Sequence, residues 1–409
     1  MSWTVSSSIT CLRVPIRPTF LITSTRSLYL PFRFHTINKL SAATQKSMSS
    51  SKSTPIMQAL QAAMDSGPAQ HHGDKYYAPK PQEWYYTTDD GSYISSSLTK
   101  KIPDPPTSQP INPKLIRLIS WNIDVLVPHS ESRMRAALQY LEQLTTSSPP
   151  EIATIIFLQE MSPSDMRQIR SSPWIASRFL LTDNDHRNWL SPLYGTTALI
   201  DRRLVIKTVF RVPWLSKFDR DGLFIDIALS NPKDTGNHDS NKVLRLCNTH
   251  LESLVADPPV RPTQIASAAS YLHQPEVAAA LLAGDLNAIQ PFDRTLHSDN
   301  GLKDAYLKLG GQENSEESFT WGQQAPTWMR EKFGCSRMDK ILLRGEVEPR
   351  SFERIGMGVR VEEELRAEVE RDIEGGWVTD HYGVMGDFEL GKGWEVSVGG
   401  GSSQQLASL

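Results

Sequence analysis

The amino-acid sequence predicts an α/β (α+β) fold in which two mixed β-sheets pack face to face with helices outside. Three observations lead there. Apolar runs of strand length recur from residue 114 onward. Helical patterns separate some of these runs, whereas others follow one another directly, which a purely parallel sheet does not allow. No segment repeats at a fixed period, so a solenoid or propeller is excluded.

Residues 1–64 contain no Asp or Glu, and Arg13, Arg17, Arg26, Arg33, Lys39, Lys46 and Lys52 stand among many Ser and Thr. That is the composition of a mitochondrial transit peptide, and equally of a plain disordered basic tail. Met48 offers an internal start that would remove most of the signal, so nucleus, mitochondrion or both are the expected locations. Residues 65–113 carry Pro79, Pro81, Pro103, Pro105, Pro106, Pro110 and Pro113, which forbid long helices and read as a linker. Within it, Trp84-Tyr85-Tyr86 could dock onto the folded domain.

The folded domain is expected over 114–390. Leu115–Ile119 reads as its first buried strand. Ser130–Leu144 reads as a helix, with Ser130 or Ser132 as cap and Met134, Leu138, Leu141 and Leu144 at helical spacing. Ile152–Leu158 is a second buried strand, and a helix follows near Pro163–Arg170. Strands are expected at Thr196–Ile200, Leu204–Phe210, Leu223–Leu229 and Val243–Asn248. Asn231–Lys242 is polar and reads as a hairpin loop. Pro262–Leu272 reads as a helix, Ala278–Ala283, Ile341–Leu343 and Gly383–Leu390 as strands, and Glu362–Glu374 as a charged, solvated helix. Residues 391–409 read as a disordered Gly/Ser tail.

The net charge of −3 and pI near 6.4 exclude a generic basic nucleic-acid binder. Cys11, Cys247 and Cys335 give neither a disulfide framework nor zinc spacing, as in a reducing compartment. No apolar run reaches the length needed to span a bilayer.

The chemistry lies where strands end. Asn122 and Asp124 close the first strand and Glu160 the second. Asn248, His250 and Glu252 follow another, Asp285 and Asn287 another, and Asp380-His381 precede the last; Asp339 opens a strand. Each alone reads as a turn former or a surface residue. Together, oxygen donors with few histidines and no clustered cysteines suit a hard divalent cation, Mg²⁺ with Mn²⁺ as substitute. Such a cation, a carboxylate able to handle a water proton and a histidine facing a developing anion would suit phosphoester hydrolysis.

Trp121-Asn122-Ile123-Asp124, Leu158-Gln159-Glu160, Asn248-Thr249-His250-Leu251-Glu252-Ser253, Ala283-Gly284-Asp285-Leu286-Asn287 and Thr379-Asp380-His381 resemble, in order, the motifs of the endonuclease/exonuclease/phosphatase superfamily. The first and third strings are most similar to the branch that hydrolyses 5′-phosphotyrosyl–DNA bonds. The resemblance covers roughly residues 114–390 and implies a four-layered sandwich with a Mg²⁺-dependent phosphoesterase site. It further implies that Glu160 is the principal metal ligand, with Asn122 beside it and Asp380 close to the metal. Asp285 would align or deprotonate the attacking water, Asn287 hold the phosphate, and His381, oriented by Asp339, donate to the non-bridging oxygens. His250 would lie close to the phosphate or be a structural histidine. Arg261 and Gln264 fall where that branch has them, and Trp321 is a candidate stacking platform for single-stranded DNA or a core residue. Leu254 and Val255 stand where the branch has an Arg, and Tyr194-Gly195-Thr196-Thr197 does not align cleanly, so substrate choice is less fixed than the chemistry. The implied partner is a DNA end carrying a 5′-tyrosyl adduct, handled by a monomer. An abasic-site endonuclease, a deadenylase, a phosphatase and a catalytically silent scaffold are the competing readings.

Overall fold

The computed structural model describes residues 54–69, 76–88, 90–98, 110–232 and 241–399. The transit-like segment up to 53, most of the loop expected at 231–242 and the tail from 400 lie outside these residues.

In chain order the strands are β1 (Lys80–Gln82), β2 (Tyr85–Thr87), β3 (Tyr93–Ser95), β4 (Leu115–Asn122), β5 (Ala153–Met161), β6 (Phe179–Leu181), β7 (Gly195–Asp201), β8 (Ile206–Pro213) and β9 (Asp221–Ser230). They continue with β10 (Val243–His250), β11 (Val277–Asp285), β12 (Lys303–Asp304), β13 (Asp339–Gly345), β14 (Val347–Pro349), β15 (Glu353–Ile355), β16 (Gly383–Leu390) and β17 (Glu395–Val396). The helices that matter here are α1 (Pro55–Asp65), α2 (Ser130–Thr146), α3 (Pro163–Ser171), α4 (Pro173–Arg178), α5 (Arg261–Leu272), α6 (Thr327–Phe333) and α7 (Glu363–Val369).

One sheet runs β1-β8-β9-β10-β11-β13-β12, the other β14-β16-β4-β5-β7-β6-β2-β3. Each contains a parallel pair joined through a helix: β4 and β5 through α2, β10 and β11 through α5. The remaining neighbours along these paths are antiparallel, which makes both sheets mixed. Alternation along the strands sorts the core into layers. Leu118, Ile155, Leu244, Leu246 and Leu281 meet between the sheets. Ile119, Trp121, Ile156 and Leu158 face outward onto Met134, Leu138 and Leu141 of α2. On the opposite side Cys247, Ala280 and Leu282 pack under Ile265, Ala268 and Leu272 of α5. The result is helix on sheet on sheet on helix.

Several expectations are corrected. The segment 65–113 is not only linker: β1 pairs with β8 and β2 with β6, so prolines at 79 and 81 sit at a sheet edge, where a missing N–H does no harm. The last residues of the supposed basic tail form α1, capped by Thr54. β17 extends the fold past 391 by pairing with β9. α2 is capped by neither Ser130 nor Ser132 but begins after His129, whose backbone is left-handed. The charged helix is shorter than expected and ends at Val369, with Glu370 as its C-cap. Among the described residues no helix is long and apolar enough to cross a membrane.

Candidate active site

The register of the strands gathers the polar ends on one rim. His250 pairs with Asp285 across β10 and β11, and Asp285 pairs with Asp339 across β11 and β13. In the facing sheet Asn122 pairs with Gln159, one residue before Glu160. Asn248 stitches the sheets together: its carbonyl accepts from Gln159 Nε2 at 2.8 Å, and its amide donates to the carbonyls of Leu158 and Thr197. The close approach of β10 and β11 requires glycine at 284, where φ is +149° and a Cβ would lie 1.7 Å from the Thr249 carbonyl oxygen.

Glu160 is aimed by a bulge. The β5–β7 register shifts between Leu158 and Met161, and Glu160 takes φ +53° there. Its Oε2 accepts from Val125 N at 3.1 Å, and its Oε1 lies 3.8 Å from His250 Nε2. Asp124, also left-handed, accepts from Leu126 N through Oδ1. Burial, then the neighbouring Asp380 and Glu160, push the Asp124 carboxyl up to about 8. Burial likewise raises Glu160. Asp124 and Glu160, buried this way beside further carboxylates, disfavour their own ionisation, and a hard cation relieves that. The all-oxygen donor set of Glu160, Asp124 and Asp380 therefore fits a divalent ion.

Three side chains and one backbone N–H converge on Asp285. Its Oδ2 accepts from Asn122 Nδ2 at 3.1 Å and faces His250 Nε2 at 3.3 Å and His381 Nε2 at 3.7 Å. Its Oδ1 accepts from the Asn287 backbone N–H at 2.9 Å. Burial works against the charged form, but the two imidazoles outweigh it and hold Asp285 below its ordinary range. Asn122 Oδ1 accepts from Asp124 N, so this side chain orients Asp285 and the loop rather than standing free as a ligand. Asn287 donates to the Leu251 carbonyl from a left-handed backbone.

The two histidines differ in charge for a geometric reason. His381 Nδ1 lies 2.8 Å from Asp339 Oδ2, and Asp339 is fully buried, which leaves His381 Nε2 toward the rim. Burial opposes the imidazolium, yet Asp339, Asp285 and Asp380 raise its pKa well above the ordinary value. His250 Nδ1 instead faces Arg220 Nη1 at 2.8 Å. A guanidinium can only donate, so Nδ1 is the acceptor and the proton sits on Nε2. Burial and then Arg220 keep His250 neutral. Asp285, Asp339 and His381 also bring ligand-capable atoms within 4.8 Å of one another, an arrangement that could hold a metal. The His381–Asp339 hydrogen bond engages that pair with each other.

Two expected substrate contacts are elsewhere. Arg261 is buried, clamps Asp293 through Nε and Nη2 and donates Nη1 to the carbonyls of Glu252 and Leu254, which leaves it bracing the loop and not contacting substrate. Gln264 does similar work for Glu252 N and Leu215 O. Trp321 is buried, and its Nε1 donates to Asp380 Oδ2 at 2.7 Å, so it positions Asp380 and is no stacking platform. Arg133 and Arg220 were missed. Arg133 carried a readable signal, a cation on the apolar side of α2 beside Met134 and Ala137; Arg220 carried none. Arg220 lies over Tyr194 at 5.3 Å and lines, with Glu160, Tyr194 and His250, a small cleft at the rim.

Human tyrosyl-DNA phosphodiesterase 2 is 25% identical over 307 residues, covering 72% of this chain and 74% of that protein. D. rerio TDP2 complexed with single strand DNA product is 21% identical, with 68% of this chain and 99% of that chain covered and a TM-score of 0.49. Truncated Caenorhabditis elegans TDP2 is 20% identical, with coverage of 68% and 98% and the same TM-score. The chain is a phosphodiester-hydrolysing enzyme similar to tyrosyl-DNA phosphodiesterase 2. Because the match to the family model, described as Endonuclease/Exonuclease/phosphatase family, runs over residues 119–381, from the end of β4 to His381, and so takes in the whole rim, the chain belongs to that family.

Proposed function

We propose that this enzyme hydrolyses the bond between a tyrosine side chain and a DNA 5′-phosphate, with Mg²⁺ as its cation and single-stranded DNA ends as its partner. Such adducts are left by abortive topoisomerase cleavage, so the reaction belongs to DNA repair, in nucleus, mitochondrion or both. The observation that carries the reading is the cleft beside Glu160 and His250, walled by Tyr194 and Arg220. Arg220 already lies over the Tyr194 ring there, so the cleft pairs a guanidinium with an aromatic face where an aryl leaving group would depart.

A cation held by Glu160, with Asp124 and Asp380 beside it, would draw charge from a phosphoryl oxygen. Asp285, kept ionised and aligned by Asn122 and Asn287, accepts the proton of the attacking water. His381, charged and anchored by Asp339, donates from Nε2 to the phosphoryl oxygens as their charge grows. Neutral His250 donates from Nε2 on the same side. A phenolate leaves more readily than an alkoxide, so a dedicated general acid is less necessary. Exposed Trp328 and Phe333 on α6, interleaved with Arg330 and Lys332, support contact with unpaired bases.

The test is hydrolysis of a 5′-tyrosyl oligonucleotide with Mg²⁺ and with chelator. Turnover should need the cation and vanish in Glu160→Ala, Asp285→Ala and His381→Ala while circular dichroism stays unchanged. Faster cutting of abasic-site DNA by the wild-type protein would overturn the substrate assignment.

A further inference from the structure

Arg133 lies on the apolar side of α2, beside Met134 and Ala137, and is 1% exposed. All five of its N–H donors go to backbone carbonyls, and no carboxylate takes any of them. Nε donates to Pro128 O at 2.9 Å. Nη1 donates to Ile123 O at 2.8 Å and Val378 O at 2.6 Å. Nη2 donates to Asp124 O at 2.7 Å and Val127 O at 3.0 Å.

Those carbonyls belong to two segments distant in sequence. Residues 123–128 leave the end of β4 and carry Asp124; Val378 stands two residues before Asp380 and three before His381. Neither segment is in a strand ladder, so its buried carbonyls need partners from elsewhere. One rigid guanidinium supplies them for both segments at once, with a geometry that an ammonium cannot copy. Thr379 adds a second tie, its hydroxyl donating to the Asn122 carbonyl at 2.9 Å.

We propose that Arg133 is the positioning residue of the cation site: it locks the β4 end to the Asp380-His381 segment, so that the backbone carrying Asp124 and the backbone carrying Asp380 are fixed against each other before any cation arrives. The buried charge of Arg133 has Asp124, Asp165, Asp380 and Glu160 as its acidic neighbours. Its pKa is lowered by burial, and Asp124 leads the groups that oppose the shift. The inference rests on the reading that Asp124, Glu160 and Asp380 hold a divalent ion.

The experiment is Mn²⁺ binding to the full chain, read by the electron paramagnetic resonance of free Mn²⁺, in wild type, Arg133→Lys and Arg245→Lys. The first substitution keeps the charge and loses the fork. Arg245 is equally buried and clamps Asp226, but it lies five residues, about 17 Å, along β10 from His250. Arg133→Lys should weaken Mn²⁺ binding by about 10–100-fold, as loss of supporting groups does at other metal sites. Arg245→Lys should leave the affinity unchanged even if its melting temperature falls. Wild-type affinity in Arg133→Lys, or a parallel loss in Arg245→Lys, overturns the assignment. Hydrogen exchange on metal-free wild type decides the case should Arg133→Lys fail to fold. The amides of Asp124, Val125, Leu126 and His381 should already be protected, and free-loop exchange until Mg²⁺ is added refutes a preformed site. If wild type binds no divalent ion, the metal reading falls while the exchange result still judges the lock.

Discussion

Asp339 is fully buried against His381, and the chemistry assigned to His381 depends on it. With Asp339 Oδ2 on Nδ1, the imidazole has one orientation and keeps Nε2 toward the reacting phosphate. Asp339→Asn keeps the size and removes the charge, so His381 loses both its fixed tautomer and most of its reason to stay protonated. The expected outcome is a fall in kcat of about 10²–10⁴-fold with KM little changed and melting nearly intact. Steady-state kinetics on a 5′-tyrosyl oligonucleotide checks it; a fall confined to KM would mean that Asp339 serves binding instead. Residue types at the strand ends were legible because chemistry restricts them: Glu160, Asp285 and His381 stand where the strings put them. Arg261 and Trp321 were misread because a guanidinium or an indole serves equally as a substrate contact or as a buried brace. Only burial and partners decide, and those come from folding.

The long strands were legible for a different reason. β5 and β11 are largely apolar on both faces because helices cover one side and the second sheet the other, and that leaves long hydrophobic runs. β1, β2 and β3 have three residues each and include proline and serine; Lys80 of β1 pairs with Arg211 and Tyr85 of β2 with Leu181, both distant in sequence, and β3 joins the sheet through β2. No local pattern encodes that. A similar long-range tie closes the β12–β13 edge. Arg337 binds Asp304 at 2.8 Å and Glu313, and Lys340 reaches Glu313 at 3.3 Å. Burial would raise the Glu313 carboxyl, but Arg337 and Lys340 prevail and hold it at about 2, against an ordinary 4.5. A pKa lowered by folding gives stability that is fully present above about 4.5 and is lost as pH falls toward 2. Glu313→Gln should therefore cost about 2 kcal/mol at pH 7. In urea unfolding the gap between wild type and Glu313→Gln should shrink steadily from pH 5 to pH 2. A gap that is constant over that range means the ion pairs add nothing.

At the scale of the whole molecule, charge and domain organisation meet at the N-terminus. Every helix and strand described here begins at or after Pro55, so a chain started at Met48 retains all of them. What it loses is charge: residues 1–47 hold six Arg or Lys and no acid, and their removal takes the net charge from −3 to −9. The two forms would share one active site and differ in their electrostatic address. An Arg- and Ser-rich, acid-free segment suits import into the mitochondrion, where the membrane potential draws positive charge inward. The shorter form has no such pull. Fluorescent fusions of the full chain and of residues 48–409 should then separate, the first with mitochondria and the second outside them, while both lysates hydrolyse a 5′-tyrosyl oligonucleotide at matching specific activity. Coincident images of the two fusions would mean that the basic residues are only a solvated tail, and the location would have to be set by something within residues 48–409.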